Sequence, residues 1–175
     1  FESSLRMISK KYPIFLVINM CTEDDDIVNY YNNLDREIGT EVSGFDVIDD
    51  LECEQIEIIE CGNTWLTYCK DIHLSREAGC DSIAADLLDE ELLPIHYIHK
   101  LCKEILKTDE LPQIKNRRDY IDKIKEKNYN VYNFATKKFE PIINTSKLEW
   151  LIWCYNHKII NKIPIVRGIC YYLSE

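Results

Sequence analysis

The sequence predicts a mixed α+β fold, with about five strands in one mixed sheet, helices packed on it, and a C-terminal β-hairpin–helix–strand unit. Three observations carry that expectation. Hydrophobicity switches along the chain between short, nearly continuous apolar runs and apolar positions at i, i+3, i+4 and i+7, the signatures of strands and of helices. Glycine and proline stand between these stretches rather than inside them. Finally, 175 residues with 46% hydrophobic and 30% charged content fill a single domain, 1–175, around one core.

The elements follow in order. Residues 3–11 suit a short helix. Residues 12–20 (YPIFLVINM) are β-branched, aromatic and almost wholly apolar, as in a strand buried on both faces. Thr22 then caps a helix whose first turn holds Glu23, Asp24 and Asp25, where carboxylates meet the positive end of the helix dipole; Ile27, Tyr30, Tyr31 and Leu34 form its inner face and Gly39 closes it. Residues 41–53 are acidic and glycine-punctuated and read as a loop. Residues 55–60 (QIEIIE) alternate like a strand and stop at Cys61-Gly62-Asn63, a turn signal. Asn63 or Thr64 caps a helix to about Ile72, and Gly79 breaks the pattern. Residues 81–88 restart it. Pro94 opens a helix to Lys107 with the stripe Ile95, Ile98, Leu101, Cys102, Ile105 and Leu106; Pro112 opens a charged helix to about Lys127.

The last part is the best marked. Residues 131–134 and 139–143 make a hairpin around an Ala-Thr-Lys-Lys connector. A helix runs from about Ser146 to Ile160, with Ser146 and Glu149 as a capping box, and residues 163–173 return as a strand. Leu148, Leu151, Ile152, Tyr155 and Ile159 share one face of that helix. Trp150 and Trp153 point elsewhere, so it is apolar on more than one side. The helix is expected to pack against strands 12–20 and 163–173.

Charge is uneven. Residues 1–60 hold four Lys/Arg against fifteen Asp/Glu, residues 61–110 five against ten, and residues 111–175 twelve against six. The chain thus has an acidic half, 1–110, and a basic ββαβ part, 111–175, within a net charge of −10. An acidic half argues against a nucleic-acid binder of the whole-surface type and for a basic protein partner. No apolar run approaches the ~20 residues that span a bilayer, so no membrane partner is expected.

Eight cysteines occur without a Cys-x-x-Cys pair. Several sit in helix or strand patterns, as buried free thiols do, which points to a reducing, cytoplasmic compartment; their even number leaves a disulfide framework open. Four histidines offer few metal ligands. Cys69 and His73 stand at i, i+4, whereas His96 and Cys102 are about 120° apart around a helix and cannot share an ion. No metal site and no cofactor are expected, and Glu60, Cys69 and His73 are the nearest approach to a ligand set. No nucleophile elbow, phosphate loop or His-Glu-x-x-His motif appears, so no catalytic residue is assigned.

The run Ile56-Glu-Ile-Ile-Glu60 followed by a helix, together with the later hairpin, helix and strand (129–173), resembles the cap-snatching endonuclease domain of influenza-type polymerase acidic subunits. That resemblance implies a PD-(D/E)xK site binding two divalent metals through a histidine, several acids and a lysine. Carried over by position, Glu60 matches the first acidic ligand and Lys158 stands where the lysine falls. Asn130 takes the place of an aspartate and Pro141 that of a glutamate, with Glu140 on the wrong face, and no histidine precedes Glu60. What the resemblance implies is therefore a divergent endonuclease-like domain whose metal site is dismantled, because a lone Glu60 cannot supply oxygen-rich geometry.

The reading from the residues themselves is a non-catalytic acidic protein-binding module, of the profile shared by nuclease-inhibiting immunity proteins and host-directed viral proteins. Asp46, Asp49, Asp50, Glu52 and Glu54 would meet the basic partner, with Trp150 and Trp153 as aromatic anchors.

Overall fold

The computed structural model describes residues 1–22, 24–39, 45–80 and 82–159. They divide into two compact units, the first made of residues 1–54 and 70–81, the second of residues 55–69 and 82–175. This division differs from the acidic/basic one, because part of the acidic half belongs to the second unit.

The first unit begins with α1 (Glu2–Lys11), β1 (Leu16–Asn19), α2 (Asp25–Gly39) and β2 (Phe45–Ile48). The two strands pair in parallel, Leu16 opposite Phe45 through Asn19 opposite Ile48, so α2 is a crossover helix. Leu34 and Ile38 of α2 pack with Phe45 and Val47 of β2 and with Leu5 of α1, and Leu16, Ile18, Met20 and Tyr31 close over that core. Strand β1 is shorter than the 12–20 run that predicts it. Strand β2 lies inside a stretch that reads as loop: all four of its residues are buried, Asp46 among them.

Helix α3 (Leu51–Glu60) replaces the strand expected at 55–60. The physical reason lies at its start. The Asp50 carboxylate accepts N–H bonds from Glu52 (2.8 Å) and Cys53 (3.0 Å), a helix N-cap, and Glu52 and Glu54 load the first turn with the charge that suits the dipole. The run Ile-Glu-Ile-Ile fits a strand or a helix equally. Burial shows the helical period, with Glu54, Gln55 and Ile58 inside and Ile56 exposed. Helix α4 (Lys70–Glu77) returns to the first unit and packs on β1, ending at Gly79 with φ of +76°.

In the second unit, residues 63–69 are not the predicted helix. Trp65, Leu66, Thr67 and Tyr68 are buried and run beside residues 141–144: Thr67 N–H donates to Ile142 (2.8 Å), Asn144 N–H donates to Trp65 (2.7 Å), and Leu66 bridges Ile143 antiparallel. Asn63 does not cap a helix. Its amide is fully buried and bonds the carbonyls of Leu88 and Glu91 and the N–H of Leu93. Helices α5 (Ile83–Asp86), α6 (Ile95–Ile105) and α7 (Arg117–Lys127) follow, and the expected α6 stripe of Ile98, Leu101, Cys102 and Ile105 is buried. Strands β3 (Asn130–Asn133) and β4 (Lys138–Pro141) form the antiparallel hairpin, and α8 (Thr145–Asn156) packs on α7.

The α8 cap is Asn144, whose side chain accepts from Lys147 N–H, two residues before the expected Ser146 cap. Leu148, Leu151 and Ile152 are buried as its inner face. The strand expected to meet that face, β1, belongs to the first unit, and the other, 163–173, lies outside the described residues. The architecture is mixed α+β, but among the described residues the sheets are two pairs of strands, not one sheet of five. Five strands would need residues 55–60 extended, and the Asp50 cap makes them helical.

Candidate protein-binding site

The parallel register sets the site. Because Asn19 and Ile48 are opposite one another, the segments leaving β1 and β2 emerge at the same end of the sheet. That carboxyl end is where open α/β sheets receive ligands, since both connections turn away there toward their helices. Each connection carries a cluster of acids, Asp24 and Asp26 after β1 and Asp49, Asp50 and Glu52 after β2.

Two of these acids are helix caps. The Asp24 carboxylate accepts N–H bonds from Asp26 (3.0 Å) and Ile27 (3.4 Å) at the start of α2. Asp50 does the same for α3, and the Cys53 thiol lies 3.5 Å from its second oxygen. The Cys53 amide foremost, with the Glu52 amide, the thiol and His73 adding to it, holds the Asp50 carboxyl below the usual range against its partial burial. Asp49 is half-buried, accepts from Asp50 N–H (2.8 Å) and gives its own N–H to Glu54 (2.9 Å). Asp24, Asp26, Asp50 and Glu52 are exposed.

Asp46 and Glu54 are placed differently from what a partner-binding role requires. Both are buried, at 5% and 1% exposure, and both accept from the guanidinium of Arg76 on α4. An acid held inside against a cation is not presented to a partner, so these two leave the proposed surface. Arg76, 1% exposed, is the residue that sequence reasoning missed. Its signal was Asp46 itself: a carboxylate between Phe45 and Val47-Ile48, in an apolar run, calls for a buried cation.

His73, also on α4, is buried with Glu77 at 3.6 Å. Burial pushes its imidazole below the ordinary range and Arg76 adds to this, while Glu77 and Asp50 oppose it. Oxygen or sulfur atoms of Asp49, Asp50 and Cys53 lie within 4.8 Å of one another, a spacing a cation could use. Both aspartates already accept main-chain N–H bonds, however, and hydrogen bonding within an N-cap accounts for the cluster.

The remaining sequence-predicted residues are dispersed. Glu60 is exposed in the last turn of a helix rather than on a strand, and Cys69 is buried in the second unit. Cys102 is buried beside Tyr120, and burial pushes its thiol up to about 12. Glu140 bonds Asn133 (2.9 Å) and Thr136 (2.6 Å), and Lys158 is exposed with φ of +55°. The described cysteines are free thiols. Trp150 and Trp153 are exposed on α8, and the Trp153 ring stacks on His157 at 4.3 Å. No helix among the described residues is long and apolar enough to cross a membrane. Comparison with protein-family models, with curated proteins and with solved structures finds no match to this chain.

Proposed function

We propose that this chain is a non-catalytic protein-binding module whose acidic first unit receives a basic partner. One observation carries the reading: the parallel pairing of β1 and β2 gathers two acidic segments, from distant parts of the sequence, at one end of the unit. Their exposed carboxylates have nothing basic among them in sequence, and Arg76 is turned inward to Asp46 and Glu54. A concentrated negative end of this kind raises the encounter rate with a cationic surface and selects against acidic competitors. On the second unit, Trp150 and Trp153 offer exposed aromatic area of the type that anchors protein contacts.

The structure also dictates how to test it. Asp24 and Asp50 are helix caps and Asp46 holds Arg76, so neutralising any of them confounds binding with stability. Asp26 and Glu52 are exposed and their carboxylates make no bond among the described residues. The double variant Asp26→Asn/Glu52→Gln should slow association with a labelled Lys/Arg-rich peptide several-fold in low salt, and flatten its salt dependence. Its melting temperature should fall only slightly, by the helix-dipole interaction that each first-turn acid adds. Equal association rates for parent and variant would overturn the reading.

A further inference from the structure

The β3–β4 pair is occupied along one edge and open along the other. The Tyr129 carbonyl accepts from Ile142 N–H (2.8 Å), which sets the phase of the ladder. The main chain of Tyr129, Val131 and Asn133 faces β4, and that of Asn130 and Tyr132 faces away. The same phase places Pro141, opposite Asn130, where its missing N–H costs no ladder bond. Beyond β4 the outward groups are already engaged: the Pro141 carbonyl accepts from Thr67 Oγ1 (2.8 Å), and residues 65–67 run beside 142–144. Beyond β3 no strand lies among the described residues. The outward N–H and C=O groups of Asn130 and Tyr132, both exposed residues, have no main-chain partner there.

That open edge is also unguarded. Edge strands ordinarily carry a charge, a proline or a bulge that blocks pairing with another chain. Residues 128–136 (NYNVYNFAT) hold no charged residue, proline or glycine, in a chain that is 30% charged. Strand β4, by contrast, carries Lys138, Glu140 and Pro141. The edge is fixed in place as well. Asn133 is buried, and its side-chain oxygen accepts from Gln55 Nε2 (2.9 Å), Ala135 N–H (3.0 Å) and Thr136 N–H (3.2 Å). Gln55 in turn accepts from Ala135 N–H (3.1 Å). The end of β3 is thus tied to α3, and the strand needs no ordering when another arrives.

We propose that this edge pairs with β3 of a second copy of the chain, antiparallel about a two-fold axis at Val131. A row of outward N–H and C=O groups is complemented in register only by another extended strand. With the axis at Val131, Asn130 lies opposite Tyr132 of the second copy, and Tyr132 opposite its Asn130. Each of these residues gives one N–H and one C=O, so four main-chain bonds close and two two-stranded hairpins become one four-stranded sheet. Charge selects the copy over other partners. Chains with a net charge of −10 repel one another, and this uncharged strand lets them meet without like charges face to face, since Lys127 and Lys137 fall outside the paired residues. A basic partner of the kind proposed for the first unit finds no carboxylate on β3. The strand is only four residues long, so the association is weak and reversible.

The test uses the full chain. Sedimentation velocity from about 1 µM to about 1 mM, the span of weak contacts, should show a reversible monomer–dimer equilibrium. Amide exchange read by NMR should show the Asn130 and Tyr132 N–H groups slowed in the concentrated sample, whereas Val131 N–H, which faces β4, is protected throughout. Tyr132→Pro removes an outward N–H and leaves the β4 ladder intact. A two-fold dimer loses two bonds by it, so its dissociation constant should rise about 5- to 150-fold. Asn130→Lys, the kind of charge that guards other edges, should also weaken the dimer, and Phe139→Asp, one strand removed from the edge, should keep it. Thermal melts of dilute samples check that each variant is folded. A single monomeric species over the whole range overturns the proposal. So does a dimer whose Asn130 and Tyr132 amides exchange as fast as in the monomer, or one lost only in Phe139→Asp, for then the contact runs through the sheet face and not its edge.

Discussion

Arg76 of α4 donates to the Glu54 carboxylate at the start of α3, with the guanidinium and the carboxylate each only 1% exposed. The same guanidinium reaches Asp46 in β2 at 3.3 Å, so one cation ties three elements of the first unit. Truncating it would strand two carboxylates in the interior. Arg76→Ala should therefore cost about 3–5 kcal/mol in urea melts, the range for breaking a buried ion pair from one side. Arg76→Met combined with Asp46→Asn and Glu54→Gln should recover part of that loss. A single-variant cost below about half a kcal/mol would mean that the network is not buried in solution.

Asn63 in the second unit is the polar counterpart. It is fully buried and makes two donor bonds, to Leu88 (2.7 Å) and Glu91 (2.8 Å), and one acceptor bond, from Leu93 (3.1 Å). Asn63→Ala leaves these main-chain groups unpaired, and each costs ~1–3 kcal/mol when buried. A loss of about 3 kcal/mol is expected. Asn63→Asp should not rescue it, since a carboxylate cannot donate to the two carbonyls.

The two sides of α8 should respond oppositely. Leu151, 4% exposed, lies on the buried face with Leu148 and Ile152, and Leu151→Ala should cost ~2–5 kcal/mol. Trp150, on the open side, should tolerate alanine within about 0.5 kcal/mol. Comparable losses at both positions would show that the tryptophan side is also covered.

Acid should destabilise the protein in two steps. His73 and His99 are both held below the ordinary imidazole range by burial, with Arg76 adding at the first and Lys103 at the second. The unfolded chain therefore takes up protons that the native state refuses. Stability from these groups is complete above the unfolded value of about 6.5 and is lost as pH falls from there toward their lowered native values. Asp50 is lowered as well, and its contribution holds above about 3.9 and disappears below. Chemical denaturation at stepped pH should show the first decline starting near 6.5, diminished in His73→Gln. A flat profile from pH 7 to 5 contradicts the burial of both rings.

The elements decided within a few neighbours were legible in the residues alone. The 130–141 hairpin and the α6 stripe depend on alternation and on helical period, whereas α2 is capped by Asp24 and not by the expected Thr22, whose hydroxyl accepts from Asp24 N–H instead. The tertiary structure decided what a local pattern leaves open. The run at 55–60 satisfies both periods, and Glu54 and Gln55 become interior positions of a helix because Arg76 and Asn133, 22 and 78 residues away, receive them. Strand β2 reads as loop because Asp46 interrupts it, and it becomes a buried strand because β1 pairs with it and Arg76, 30 residues on, neutralises that acid. Likewise, which acids belong to the surface and which to the core depends on where the Arg76 guanidinium lands. Charge composition carries no record of that, because Coulomb attraction acts through space and the chain brings these groups together only on folding.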